Sequence, residues 1–279
     1  MKILVTTDLS TNSKAGIRFA LQLALQYQCE LTFFYGYHLK KPTWNDTTYN
    51  SFADSEHQKS LVALTDFVKV VAGDIDITDF QLNYYIQESL FLPHHIIEYA
   101  LLHECSFICI SRRGASWHRK LFGSVSKVLI QESAIPVMVI PPGYRRKKIK
   151  NVLYASDLSN FERELKMVVN FAHPLQLKIE TLHFRLPSDI TGNKKVLVED
   201  AIQKIPAKSI RFYEENYDFS LSLMEHLLKM VKKINPSIMI MFTDQQRDLF
   251  ERLFTASNAA ALSSLAKWPM LVFRKEVLS

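Results

Sequence analysis

A chain of 279 residues has room for two domains of ordinary size, and 48% hydrophobic with 22% charged residues is a globular composition that excludes an extended disordered chain. No apolar run approaches the roughly 18 residues of a membrane span, and no leader-like segment precedes a first strand beginning at Lys2, so a cytoplasmic protein without membrane attachment is expected. The net charge of +6 is densest in Arg145-Arg146-Lys147-Lys148-Ile149-Lys150, which follows Pro141-Pro142-Gly143 and reads as a solvated linker; without interleaved aromatics it does not point to nucleic acid.

In chain order, Lys2 to Thr7 reads as a buried strand and Thr11 to Gln28 as a helix with Ile17, Leu21, Ala24 and Leu25 on one face. Leu31 to Gly36 is a second strand. A polar stretch from His38 to Ser55 reads as a loop, and Leu61, Leu64, Val68 and Val71 mark the next helix. Phe80, Leu82, Tyr84 and Ile86 alternate with polar residues as a third strand, and Pro93 suits the first turn of a helix reaching about His103. Cys105 to Ile110 is a fourth strand and Val137 to Ile140 a fifth. Cys29, Cys105 and Cys109 lie in or beside such apolar segments, odd in number and without a zinc-ligand spacing, so buried reduced thiols are expected and no metal site is.

The chain then begins again. Ile3-Leu4-Val5-Thr6-Thr7-Asp8-Leu9-Ser10 returns as Val152-Leu153-Tyr154-Ala155-Ser156-Asp157-Leu158-Ser159, and Ile135-Pro136-Val137-Met138-Val139-Ile140 returns as Trp268-Pro269-Met270-Leu271-Val272-Phe273. This is a tandem duplication, with domains expected at 1–143 and 144–279. Second-half strands are expected near Asn151–Ala155, Leu177–Phe184, Ser209–Tyr213, Ser237–Met241 and Met270–Phe273. The fold class is α/β: two tandem open, mainly parallel five-stranded sheets flanked by helices, with right-handed crossovers.

In such a sheet ligands bind at the carboxyl ends of the strands, near the point where strand order reverses. The loop after the fourth strand is therefore decisive. It reads Ser111-Arg112-Arg113-Gly114-Ala115-Ser116-Trp117-His118-Arg119-Lys120-Leu121-Phe122-Gly123-Ser124-Val125 and holds two of the chain's seven glycines. Glycine lets backbone N–H groups approach phosphate oxygens, and Gly123-Ser124 opens a helix whose free N–H groups favour anions. The same residues also suit a solvated loop with a Gly-Ser helix cap, and spacing does not separate the two readings. His94-His95, at a helix start, reads as a surface pair.

The pattern resembles that of the universal stress protein family, whose nucleotide-binding members carry G-x-x-G, nine residues, then G-S or G-T. The likeness includes the opening strand with Asp-Leu-Ser, the Gly123-Ser124-Val125 helix start and the closing strand. It implies a Rossmann-like fold of the adenine nucleotide alpha hydrolase type and a stress-response role. It also implies ATP or AMP held by Asp8, near the base, and by Ser111, Gly114, Gly123, Ser124 and Val125. Ser111 stands where the family has its first glycine, and the intervening segment is eight residues long. In the second half the four motif positions hold Phe242, Gln245, Thr255 and Ala256, with no glycine, so one nucleotide per chain is expected and Asp157 reads as a helix cap, a role Asp8 partly shares.

No G-x-x-x-x-G-K-[ST] loop, G-x-S-x-G elbow or H-E-x-x-H helix is present, so no catalytic residue is named, very slow ATP hydrolysis staying open. The alternative is a nucleotide-independent dimerisation or interaction scaffold. In the family the closing strands form a sheet edge used for pairing, and Val137-Met138-Val139-Ile140 and Met270-Leu271-Val272-Phe273 are nearly all apolar. They are expected to pair antiparallel within the chain as a pseudo-dimer, with a further homodimer left open.

Overall fold

The computed structural model describes residues 1–38, 46–112, 124–185, 194–205, 210–243, 265 and 267–275. It resolves two compact units, Met1–Lys147 and Lys148–Ser279.

The first unit runs β1 (Lys2–Thr7), α1 (Lys14–Gln26), β2 (Glu30–Tyr37), α2 (Asp46–Ala72), β3 (Gln81–Glu88), α3 (Leu92–Leu102), β4 (Phe107–Ser111), α4 (Ser124–Glu132) and β5 (Val137–Ile140). Its strands lie in the order β3-β2-β1-β4-β5 and pair in parallel. The chain moves one way from β1 to β3, then crosses back to β4 on the far side of β1. Right-handed crossovers thus place α1 and α2 on one face and α3 and α4 on the other, leaving a crevice at the carboxyl ends of β1 and β4.

The second unit repeats the plan with β6 (Asn151–Ala155), α5 (Phe161–Ala172), β7 (Lys178–Arg185), α6 (Lys194–Gln203), β8 (Ile210–Asn216), α7 (Leu223–Ile234), β9 (Ile238–Thr243) and β10 (Met270–Arg274). Its order is β8-β7-β6-β9-β10, again parallel, so the α/β class and the mainly parallel sheets expected from sequence hold in both halves.

The central strands are covered on both faces, which is why Ile3, Leu4 and Val5 or Phe107, Ile108 and Cys109 are consecutive apolar residues and all buried. Cys29, Cys105 and Cys109 are buried free thiols, and burial pushes each of them above the usual thiol value. In α1 the buried face includes Ile17 and Leu21 as expected, with Phe19, Ala20 and Leu23 added, but Leu25 is exposed. Pro93 falls in the first turn of α3 as its fixed φ allows. Helix α7 has a capping box, in which Ser222 and Glu225 satisfy each other's backbone N–H groups, and ends on Asn235 in the left-handed region at φ 48°.

One element differs from expectation. The stretch from His38 to Ser55 is not all loop: α2 begins at Asp46 and runs 27 residues. Among its described side chains burial begins only at Leu64, followed by Val68 and Val71, and its first half carries no apolar period and reads as polar loop in sequence. The matching helix of the second unit, α6, has 10 residues, which accounts for much of the shortening between the copies.

Candidate functional site

Both units turn the same corner at the end of their first strand. Leu9 has φ 57° and Leu158 φ 64°, a left-handed conformation that ordinary side chains avoid and that needs local hydrogen bonds to hold it. These bonds match one for one. Leu9 N–H donates to Thr7 Oγ1 at 3.0 Å as Leu158 N–H does to Ser156 Oγ at 3.0 Å, and Ser10 N–H donates to Asp8 Oδ1 at 3.1 Å as Ser159 N–H does to Asp157 Oδ1 at 2.9 Å. Neither aspartate is a helix cap: α1 is preceded by Ser13 and α5 by Asn160, so Asp8 and Asp157 instead close Asx turns ahead of the helices.

Beyond the corner the units diverge. In the first, a shallow cleft open to solvent lies over the carboxyl ends of the strands. Thr6, Thr7 and Asp8 line it from β1, Ile110 and Ser111 from β4, and Val125 and Ser126 from α4. Phe34, Leu92 and Ile96 add apolar surface, while Ser10, Asn12 and Ser13 supply polar groups at the corner. A largely apolar concavity with a few convergent polar groups suits a small heterocyclic ligand. Gly36 also belongs to this wall, because a Cβ there would come within 2.1 Å of Leu92 Cδ1.

Ser111 does not point its hydroxyl into the cleft. Its Oγ accepts the Gly16 N–H at 2.7 Å and donates to the Ser13 carbonyl at 3.0 Å, so it caps the first turn of α1 from a different strand. Gly16 has to be small for this: a Cβ at that position would sit 2.9 Å from Ser111 Oγ.

In the second unit the described side chains at the corresponding place bond to one another and leave a smaller hollow beside Phe242, Glu164 and Lys275. Phe242, at the position of Ser111, stacks on Phe273 at 5.0 Å and meets Tyr154 edge-on at 5.5 Å. The Lys275 ammonium lies 3.1 Å from Asp157 Oδ2 and 3.4 Å from Glu164 Oε1. The Tyr154 hydroxyl donates to Glu164 Oε2 and lies 2.8 Å from Ser156 Oγ, which closes a ring back to the corner. Burial raises the Glu164 carboxyl more than Tyr154 and Lys275 lower it. Burial also works against the Asp157 charge, but the Ser159 hydroxyl and amide and the Lys275 ammonium hold that carboxyl below its ordinary value. Lys275 is desolvated too, yet the Glu164 and Asp157 charges keep it above the usual lysine value. At the equivalent positions the first copy has Val5 for Tyr154, Ala15 for Glu164 and Pro142 for Lys275, so it forms no such ring.

Of the residues singled out in sequence, the structure brings Asp8, Ser111 and Val125 to one cleft. Ser124 begins α4, and Gly114 and Gly123 lie outside the described residues, as do Arg113, His118, Arg119, Lys120, Gln245, Thr255 and Ala256. His94 is exposed, 3.6 Å from Glu132, but His95 is half-buried and bonded to Ser89 Oγ at 2.6 Å, so only the first is a plain surface residue. Gly16, Gly36 and Lys275 were not singled out; the signal available was that two of only seven glycines stand inside a helix and a strand. Among the described residues no group of three His, Cys, Asp or Glu side chains could hold a metal ion, and no helix is long and apolar enough to cross a membrane.

A model of the Universal stress protein family matches residues 1–141. Among solved structures, a universal stress protein from Archaeoglobus fulgidus DSM 4304 is similar over 98% of this chain and 96% of its own, with TM-score 0.64 and 17% identity. A putative universal stress protein from Pseudomonas aeruginosa UCBPP-PA14 is similar over 98% and 92%, with TM-score 0.54 and 13% identity. UspA, a universal stress protein from Lactobacillus plantarum, shares 26% identity over 50% of this chain and 97% of its own, with TM-score 0.41. No curated protein matches the chain in sequence.

Proposed function

The chain belongs to the universal stress protein family, and from that premise we propose that it is a stress-response protein that binds one adenine nucleotide, ATP or AMP, in its first unit, without ordinary turnover. The observation that carries this reading is the contrast between two corners of the same design. In the first unit Asp8 borders an open cleft with Ser111 and Val125. In the second the equivalent Asp157 is held by Lys275, and Phe242 fills the place of Ser111. The apolar surface of Phe34, Leu92 and Ile96 suits the flat face of a base and Asp8 its polar edge, while Gly114, Gly123 and Ser124 would serve the phosphates. In this reading the second unit acts as a partner domain that binds no nucleotide. The closing strands β5 and β10, apolar throughout Val137–Ile140 and Met270–Phe273, are proposed to pair antiparallel as an intramolecular pseudo-dimer, and the protein to work in the cytoplasm.

Calorimetric titration of the purified protein with ATP and with AMP tests the reading. One site per chain, lost in Gly123→Val and in Asp8→Ala, is expected. Two equal sites, or no binding of either nucleotide, would overturn it, and the second result would leave the interaction scaffold in its place.

A further inference from the structure

Three walls of the first-unit cleft meet through side-chain hydroxyls. Leu9 N–H donates to Thr7 Oγ1, and the Thr7 and Ser13 hydroxyl oxygens are 2.8 Å apart. Ser13 Oγ in turn donates to the Ser10 carbonyl at 2.8 Å, so the proton between the two hydroxyls comes from Thr7. From the other side Gly16 N–H donates to Ser111 Oγ, which donates to the Ser13 carbonyl. Every donor in this chain has an acceptor. It links the end of β1, the start of α1 and the end of β4, with Thr7 and Ser13 both buried. Asp8 sits between the two corner residues, Thr7 and Leu9, that the network ties down. Its own carboxylate closes the turn on Ser10 N–H.

Nothing in local sequence requires Ser111 to join this network, since it lies 95 residues from Gly16. Helix α1 has no side-chain cap of its own, Ser13 standing at helical φ −70° and ψ −15° where a capping residue is extended, and the Gly16 N–H is one of the orphan donors of its first turn. The second copy again serves as a control: Phe242 stands for Ser111 and Leu165 for Gly16, and the corner is held by the Lys275 ring. Each copy thus keeps the same strained corner with the same local bonds and adds a different support behind it, Ser111 in the first and the Lys275 ring in the second.

We propose that Ser111 is a positioning residue for the Asp8 corner. Through Ser13 and Thr7 it fixes the angle at which Asp8 meets a ligand, so that serine at this place preserves the cleft with its side chain turned away from it. The proposal rests on the nucleotide reading for its ligand, but the coupling from Ser111 to the corner is testable without one.

Amide hydrogen exchange and ATP titration of the full chain carrying Ser111→Ala, Ser111→Thr or Thr7→Val separate the outcomes. If Ser111 positions the corner, Ser111→Ala accelerates exchange by about tenfold at Gly16 and also at Leu9 and Ser10, which it does not touch. Thr7→Val does the same at Leu9 and Ser10, and Ser111→Thr restores protection by keeping the hydroxyl. ATP affinity falls about fivefold in Ser111→Ala, the worth of one hydrogen bond, and recovers in Ser111→Thr. Acceleration confined to Gly16 would show a local helix cap and overturn the proposal. Freed Leu9 and Ser10 with unchanged ATP affinity would overturn it as well. A wild-type chain that binds no ATP would sink the nucleotide reading alone, with exchange at Leu9 and Ser10 still deciding whether Ser111 holds the corner.

Discussion

Lys275→Met is the most informative single change in the second unit. Methionine keeps most of the aliphatic stem and removes the ammonium, which leaves Glu164 with one carboxylate oxygen facing no cation. The Glu164 side chain is 5% exposed and that of Lys275 12%, so this arm of the ring is a buried pair, and breaking such a pair from one side costs about 3–5 kcal/mol. The Asp157 side chain is 38% exposed, and its arm contributes only about 0–1 kcal/mol. A loss of ~3–5 kcal/mol corresponds to a fall of roughly 10–20 °C in the melting of this unit. Adding Glu164→Gln removes the stranded charge, so the double variant should recover at least ~2 kcal/mol of coupling energy. The deficit should also depend on pH in a definite direction. Burial already raises the folded Glu164 carboxyl above its ordinary 4.5, and loss of Lys275 raises it further, so the folded variant binds a proton more tightly than the unfolded chain. Its penalty relative to wild type is therefore largest near neutral pH and shrinks as pH falls toward 5. Urea denaturation of the four proteins of the cycle at pH 7.5 and pH 5 measures this. A Lys275→Met variant within about 1 kcal/mol of wild type, or a penalty that grows on acidification, would refute the assignment of the ring as a buried charge network.

Other expectations are simpler. Leu9→Val should cost about 1–2 kcal/mol in chemical denaturation, because a β-branched residue tolerates φ 57° worse than leucine, whereas Leu9→Gly should cost less than Leu9→Val. Gly36→Ala places a methyl group within 2.1 Å of Leu92 Cδ1 and should destabilise the first unit by about 1–3 kcal/mol while weakening any cleft ligand; unchanged stability would show that Leu92 can simply step aside. Thr255→Val should leave nucleotide affinity unchanged while Gly123→Val abolishes it, a comparison that calorimetry reads directly. If β5 and β10 pair, Val139→Lys should loosen the two units and increase the radius of gyration in small-angle scattering, and an unaltered profile would count against that pairing.

Sequence alone determined the two-fold architecture, because each strand covered on both faces must be apolar throughout and each helix must carry a stripe. That is why β1, β4 and the buried face of α1 are legible in sequence, and why the duplicated Asp-Leu-Ser corners match there residue for residue. The first half of α2 was not legible, since a helix that buries little carries no apolar period. Of the candidate site, Asp8 was legible because its residue type announces its chemistry, while the loop glycines Gly114 and Gly123 lie outside the described residues. What the tertiary structure decided was partnership across long separations. Ser111 reads in sequence as a missing glycine, and only the fold brings it to Gly16, where its side chain becomes a helix cap. Lys275 reads as one cation after a closing strand, and only the fold sets it between Asp157 and Glu164, 118 and 111 residues away. Local pattern records which face of an element is buried, because neighbours along the chain share that fate. It does not record which polar group a buried donor will meet, because that partner is chosen by topology.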